Sequence, residues 1–396
     1  MDNFRFYVPT DVRFGKDRLT DELGAVLNEY GKTVLLAYGG GSIKKNGLYD
    51  QVLSLLAANG NKVIELSGIE PNPRTETVDR GVALCREHQV DVILAVGGGS
   101  TIDCAKVVAA GFYFEQSAWD LVLQRRTFNG PALPLVTILT LAATGSEMNS
   151  GAVISNLSTN QKLGVGAPSM MPKVSFLDPQ NTFTVPDYQT AAGSADILSH
   201  LFENYFKKTS GADVQDFVSE GLMKTVVKNC AAALQTPNDY DARANLMWAS
   251  SLALNGLTGS GKGGAWSCHP MEHELSAFYD ITHGVGLAIL TPRWMAHVLS
   301  EETVGKFQQF AKNVWGIEEA DPMAVAKKGI QATYDFFKGC GIPMTLPEVG
   351  IDDAKFSLMA EQAVNHSTIE TAAYVPLSAH DVVAIYEACL TESSFV

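Results

Sequence analysis

The chain has 396 residues, 46% of them hydrophobic and 18% charged, with a formal net charge of −14. That length allows two domains with large cores, and the acidic balance argues against nucleic acid or an anionic membrane as partner. No apolar run reaches the roughly 18 residues of a membrane span, the first residues lack the order of a secretion signal, and six scattered cysteines without a C-x-x-C pair read as reduced thiols of a cytoplasmic protein.

The first half alternates strand and helix signals. "KTVLLAYGGGS" (32–42) is a buried strand entering a glycine turn, and "NKVIELSGI" (61–69) is another strand. "VDVILAVGGGSTIDCAKVVAAG" (90–111) reads as strand, glycine turn and helix, and "ALPLVTILTLAATGSE" (132–147) as a strand with a Thr/Gly-rich exit. Short apolar strands separated by helices predict a parallel sheet covered on both faces. The texture changes at "LDPQNTFTVPD" (177–187), and the junction is placed there, giving an α/β domain over 1–184 and a helical domain over 185–396. Within the second, residues 212–234 put Val214, Phe217, Val218, Leu222 and Val226 on one stripe at helical spacing.

The glycine turns have a mechanism. After the strand ending at Val96, Gly97, Gly98 and Gly99 allow close backbone approach, and Ser100 and Thr101 can cap a helix whose free amides face a phosphate. A tight turn without ligand is the plainer account of either run taken alone. In the earlier turn, Gly39, Gly40, Gly41 and Ser42 follow Tyr38, with Lys44 and Lys45 nearby and no acid. An NAD site usually places a carboxylate on the ribose 2′-hydroxyl, so small residues and cations favour a 2′-phosphate, hence NADPH over NADH. "GLTGSGKGG" (256–264) almost spells a nucleoside-triphosphate loop, but Gly263 stands where the hydroxyl should be and a helix precedes it. It is expected to be a flexible connection between helices.

The histidines form a constellation. Asp196 and His200 are four apart, as are His269 and His273, and His283 follows. That spacing puts each pair on one helix face, and Pro270 suits the first turn of a helix starting beside it. Three imidazoles and a carboxylate suit Zn²⁺ or Fe²⁺ better than Ca²⁺ or Mg²⁺. "HPMEH" also matches the inverted zinc-peptidase pattern, with Glu272 as general base, but that reading leaves the glycine turns and Asp196/His200 unused.

"GGGSTIDCAK" (97–106), "TLAATGSE" (140–147), "LDPQNTFTVP" (177–186), "GSADILSH" (193–200) and residues 269–286 together resemble the iron-containing, or group III, alcohol dehydrogenases, most closely the NADPH-dependent butanol dehydrogenase branch. The resemblance implies a Rossmann-like dinucleotide-binding α/β domain, an all-α C-terminal domain, and an active site in the cleft between them. It implies Asp196, His200, His269 and His283 as ligands of one divalent metal, Fe²⁺ or Zn²⁺, with His273 left free as a candidate proton relay. It implies Gly97 to Ser100 at the pyrophosphate, Asp103 close by, Thr140, Thr144, Ser146 and Lys162 as further cofactor contacts, and Asn181 at the pocket wall. A homodimer reducing small aliphatic aldehydes such as butanal is the expected enzyme. Trp266, Met271 and Phe278 point to an unphosphorylated substrate or to core packing. A glycerol-dehydrogenase-like polyol oxidoreductase is the nearest alternative, ahead of a dehydroquinate-synthase-like lyase and a metallopeptidase.

Overall fold

The computed structural model describes all 396 residues. The chain forms two compact units: Tyr7–Val185 with Pro237–Ser251, and Met1–Phe6 with Pro186–Thr236 and Leu252–Val396. The expected division at 184/185 lies one residue from the junction at Val185 and leaves both exchanged segments on the wrong side. Long-range contacts assign them. In the first unit, Lys16 lies 4.4 Å over the ring of Tyr240, Phe14 meets Trp248 edge-on at 6.1 Å, and the Ser251 hydroxyl donates to Glu147 at 2.5 Å. In the second, the Asp2 N–H donates to the Gly261 carbonyl at 2.9 Å.

The α/β unit is built on β1 (Asp11–Phe14), β2 (Thr33–Tyr38), β3 (Lys62–Leu66), β4 (Val92–Gly97), β5 (Leu135–Leu139) and β8 (Val174–Leu177). They form one sheet in the order β1-β8-β5-β4-β2-β3, with every pairing parallel. The central strands are almost wholly apolar because both faces are covered. Leu35, Ala37, Ile93 and Ala95 face one core, while Val34, Leu36, Val92 and Leu94 face the other, as period-two alternation requires. From β2 the chain moves outward to β3, and from β4 it runs the other way through β5 to β8. The carboxyl ends of β2 and β4 therefore flank a topological switch point, where open α/β sheets bind ligands. A two-stranded antiparallel hairpin, β6 (Gly151–Asn156) with β7 (Gln161–Gly166), is an element the sequence reading did not foresee.

The second unit is helical. Its central helix, Asp187–Tyr205, is buried on every side from Thr190 to Tyr205, the pattern of a core helix. Helix Asp213–Gln235 departs from expectation. Val214 and Phe217 are 64% and 61% exposed, and the buried stripe is Gln215, Ser219, Met223, Val226, Cys230 and Ala233. Polar residues hold that face because partners await them; Glu220 beside it accepts from Tyr205, Gln309 and Asn313. Residues 256–264 are pinned rather than loose. The Lys262 ammonium is buried, pairs with Asp216 and donates to the Tyr205 carbonyl at 3.1 Å, which also removes it from any phosphate-loop role. Arg293 clamps the chain end, donating to the Thr391 carbonyl at 3.0 Å and the Ser393 hydroxyl at 3.2 Å.

Candidate active site

In the α/β unit, the predicted nucleotide residues gather at the carboxyl edge of the sheet. Gly39 follows β2, Gly97 ends β4, Thr140 follows β5, and Asn181 lies in the turn Pro179–Thr182 after β8. Gly40 and Gly41 complete the first turn, and Ser42 opens the short helix Ser42–Lys45. Gly98 precedes and Gly99 and Ser100 begin the helix Gly99–Gly111, whose free first-turn amides suit an anion. Internal packing explains two of these glycines: a Cβ on Gly97 would collide with Thr101, and one on Gly99 with Thr144.

Beneath this edge lies a buried polar hub. The Lys106 ammonium, fully buried, donates to Ser146 Oγ at 2.8 Å, Asn149 Oδ1 at 3.0 Å and the Gly151 carbonyl at 2.8 Å. Asp103 accepts from the Ser146 hydroxyl at 2.5 Å and the Val153 N–H at 2.8 Å. Asp103 and Ser146 thus fasten the turn carrying Thr144 to the helix. Burial pushes Lys106 down to about 8, against the pull of Asp103 and Glu147. Lys162 is buried on β7, in register with Ser155.

In the helical unit, three helices bring the other candidates together. Asp196 and His200 are one turn apart on Asp187–Tyr205, His269 and His273 lie on Cys268–Tyr279, and His283 begins His283–Val298. Gly284 permits the last approach, since any Cβ there would collide with the carbonyl of Ala192. The Nε2 atoms of His200, His269 and His283 lie 3.5, 3.8 and 3.7 Å from Asp196 Oδ1. Tetrahedral ligand atoms ~2.1 Å from one ion stand about 3.4 Å apart, so the three distances to Asp196 suit one ion; Asp196, His200 and His269 form one tight group, which His283 meets at Asp196. Asp196 Oδ1 and His269 Nε2 are also buried without a hydrogen-bond partner, a state that a cation relieves.

The electrostatics agree. Burial opposes charge on Asp196, but the three imidazoles hold it well below the usual carboxylate range. Burial pushes His200 down to about 4 despite Asp196. For His269 burial is outweighed by Asp196 and Glu203, which carry it up to about 9. The carboxylates beside His269 favour positive charge there, and a divalent ion would supply it. The donor set fits such a metal.

His273 stays outside the cage, its ring centroid 6.2 Å from that of His269 and 5.7 Å from that of His283. Trp266 walls the site, its ring 4.6 Å from that of His269 and its Nε1–H donating to Asn204 at 3.2 Å. Met271 is core, fully buried, and Phe278 carries Lys355 over its ring at 5.2 Å. Glu272, His273 and His283 form a second tight group, but Glu272 is bonded to His283 Nδ1. It is therefore not poised as the base of a peptidase. Glu203, which contacts His269, went unremarked in the sequence although Asp196, His200 and Glu203 fall at spacings of four and three on one helix face.

A parallel sheet with glycine turns at its switch point, together with three imidazoles converging on a buried aspartate, fits the class of metal-dependent dinucleotide oxidoreductases. Comparison with known proteins resolves the family. "Iron-containing alcohol dehydrogenase" matches residues 9–179, and "Fe-containing alcohol dehydrogenase family, C-terminal" matches residues 190–390. NADH-dependent butanol dehydrogenase A of Clostridium acetobutylicum is 52% identical over 386 residues, covering 97% of this chain and 99% of that protein. NADPH-dependent aldehyde reductase YqhD of Escherichia coli is 37% identical over 368 residues, covering 92% and 94%. The crystal structure of NADH-dependent butanol dehydrogenase A from Thermotoga maritima superposes with a TM-score of 0.93 at 38% identity, covering 99% of each chain. The chain belongs to the iron-containing alcohol dehydrogenase family. It is an NAD(P)-dependent alcohol dehydrogenase and aldehyde reductase.

Proposed function

We propose that this enzyme reduces small unphosphorylated aliphatic aldehydes such as butanal with NADPH, using one divalent ion, Fe²⁺ or Zn²⁺, held by Asp196, His200, His269 and His283. The observation that carries the reading is the cage itself: three imidazole nitrogens within 3.8 Å of one buried carboxylate oxygen. Butanol dehydrogenase and aldehyde reductase relatives support the substrate class. When bound, the metal supplies Lewis acidity toward a carbonyl oxygen and the nicotinamide supplies the hydride.

The chain's own residues bind, orient and supply the proton. Gly97 to Ser100 and the helix amides behind them take the pyrophosphate, with Thr140, Thr144, Lys162 and Asn181 as further contacts and Asp103 and Ser146 fixing the loop from beneath. His273, partly exposed beside the cage, holds a proton at a ring nitrogen and delivers it as the alcohol forms. Gly39, Gly40, Gly41 and Ser42 take the adenosine ribose, leaving room for a 2′-phosphate near Lys44 and Lys45. Glu65 on β3 is not free to accept from the ribose hydroxyls of NADH, since it accepts from the Tyr38 hydroxyl at 2.6 Å and the Tyr49 hydroxyl at 3.0 Å. The relatives divide on this preference, the butanol dehydrogenases being named for NADH and YqhD for NADPH. The reading includes a cytoplasmic homodimer without nucleic-acid or membrane partners; no helix is long and apolar enough to cross a membrane.

The test follows cofactor oxidation by the purified enzyme with butanal before and after chelation. Consumption should vanish with the metal, return with Fe²⁺ or Zn²⁺, and be at least about tenfold more efficient (kcat/KM) with NADPH than with NADH. Comparable efficiency with NADH would end the NADPH preference. Turnover of glycerol with NAD⁺ but not of butanal would move the enzyme to the polyol branch.

A further inference from the structure

Two buried carboxylates stand directly behind the cage. Glu203, 3% exposed, lies at 3.3 Å from His269 Nδ1 through Oε1, which also accepts the His269 backbone N–H at 2.9 Å. Its Oε2 accepts the Ser267 N–H at 2.7 Å. Glu272 is fully buried; its Oε2 is bonded to His283 Nδ1 and its Oε1 accepts the Ser276 hydroxyl. The backbone makes room for it, because a Cβ on Gly286 would come within 2.8 Å of Glu272 Cγ. His200 has no such support: its Nδ1 is buried without a hydrogen-bond partner, and its ring is stacked on His269 at 4.7 Å.

A neutral imidazole carries one N–H, and an anionic acceptor on Nδ1 draws the proton there, leaving the Nε2 lone pair for a cation. Burying a carboxylate is costly unless positive charge lies close. Asp196, Glu203 and Glu272 together place three buried carboxylates in and behind this cage, a grouping that suits a bound cation.

We propose that Glu203 and Glu272 are positioning residues that hold His269 and His283 as Nδ1–H tautomers, aim their Nε2 atoms at Asp196, and set how tightly the enzyme retains its divalent ion, whereas His200 is held by packing. The proposal rests on the reading that Asp196, His200, His269 and His283 are the ligands.

The test uses the full-length holoenzyme and its Glu203→Gln, Glu272→Gln and His283→Ala variants. Transfer of Fe²⁺ or Zn²⁺ to a chromogenic chelator gives retention, and melting with and without the metal gives the metal-dependent gain in Tm. Each Gln variant should bind metal about 10- to 100-fold more weakly and show a smaller metal-dependent gain, with the chelated protein melting close to chelated wild type. Glu272→Asp and Glu203→Asp should recover part of the retention. If both Gln variants retain metal like wild type while His283→Ala loses it, the positioning role is overturned and the ligand reading stands. If His283→Ala keeps full metal, the ligand reading itself fails. If the chelated Gln variants melt well below chelated wild type while their metal-dependent gain in Tm matches that of wild type, the glutamates serve packing and the inference is overturned.

Discussion

At the scale of single residues, the histidines separate by what lies behind them. His200, His269 and His283 converge on Asp196, while His273, on the same helix as His269, stays outside. Two imidazoles four residues apart share a helix face, but the direction of approach of the neighbouring helices decides which of them meets Asp196. His273→Asn should lower kcat for butanal reduction by about 10²-fold, the low end for a lost general acid, and flatten the pH profile near neutrality. Metal content should not change. An unaltered rate and profile would assign His273 to packing. The ligand spacings were visible in the sequence because four-residue steps are local. The bond between Glu272 and His283 was not, since the sequence motif around Glu272 equally fits a general base and only the fold shows where its oxygens go.

At the scale of elements, strand–turn–helix units were legible because each declares itself within a few residues. An apolar run and three glycines need no tertiary information, although the expected serine cap is absent: Gly98 is the N-cap and Ser100 lies within the helix. The hairpin β6–β7 was hidden: its strands, "GAVISN" and "QKLGVG", are short and lack clear alternation. The stripe on helix Asp213–Gln235 was misread because apolar residues were taken to mark the buried side. Packing sets a different face inward, with Met223 fully buried and Phe217 61% exposed. Met223→Ala should therefore cost about 2–5 kcal/mol, whereas Phe217→Ser should stay within about 0.5 kcal/mol. Urea midpoints of the two variants decide between the faces, and equal losses would contradict the burial described.

At the scale of the whole molecule, the hub at Lys106 couples stability to pH. Burial is the chief reason its ammonium titrates at about 8 instead of 10.5. Between those values the unfolded chain still holds the proton that the folded chain has released. The unfolded state then binds more protons, so this group makes stability rise with pH across that window and weighs against the fold below it. Lys106→Met should unfold more easily, losing three buried hydrogen bonds, and should show a shallower rise. Denaturant unfolding of both proteins from about pH 7.5 to about 10.5 measures the difference, and parallel curves would show that Lys106 stays charged throughout. By itself the sequence determined the parallel sheet, the glycine turns at its carboxyl edge, the helical second half and the Asp/His pairs at four-residue spacing, since each depends on spacing along a few turns or strands; the choice of Asp196, His200, His269 and His283 as a set came from the family resemblance. Tertiary structure alone decided which carboxylates stand behind the histidines, which face of Asp213–Gln235 is buried, and that segments 1–6 and 237–251 change units. Those outcomes depend on contacts between residues tens to hundreds of positions apart, and no local pattern encodes such contacts.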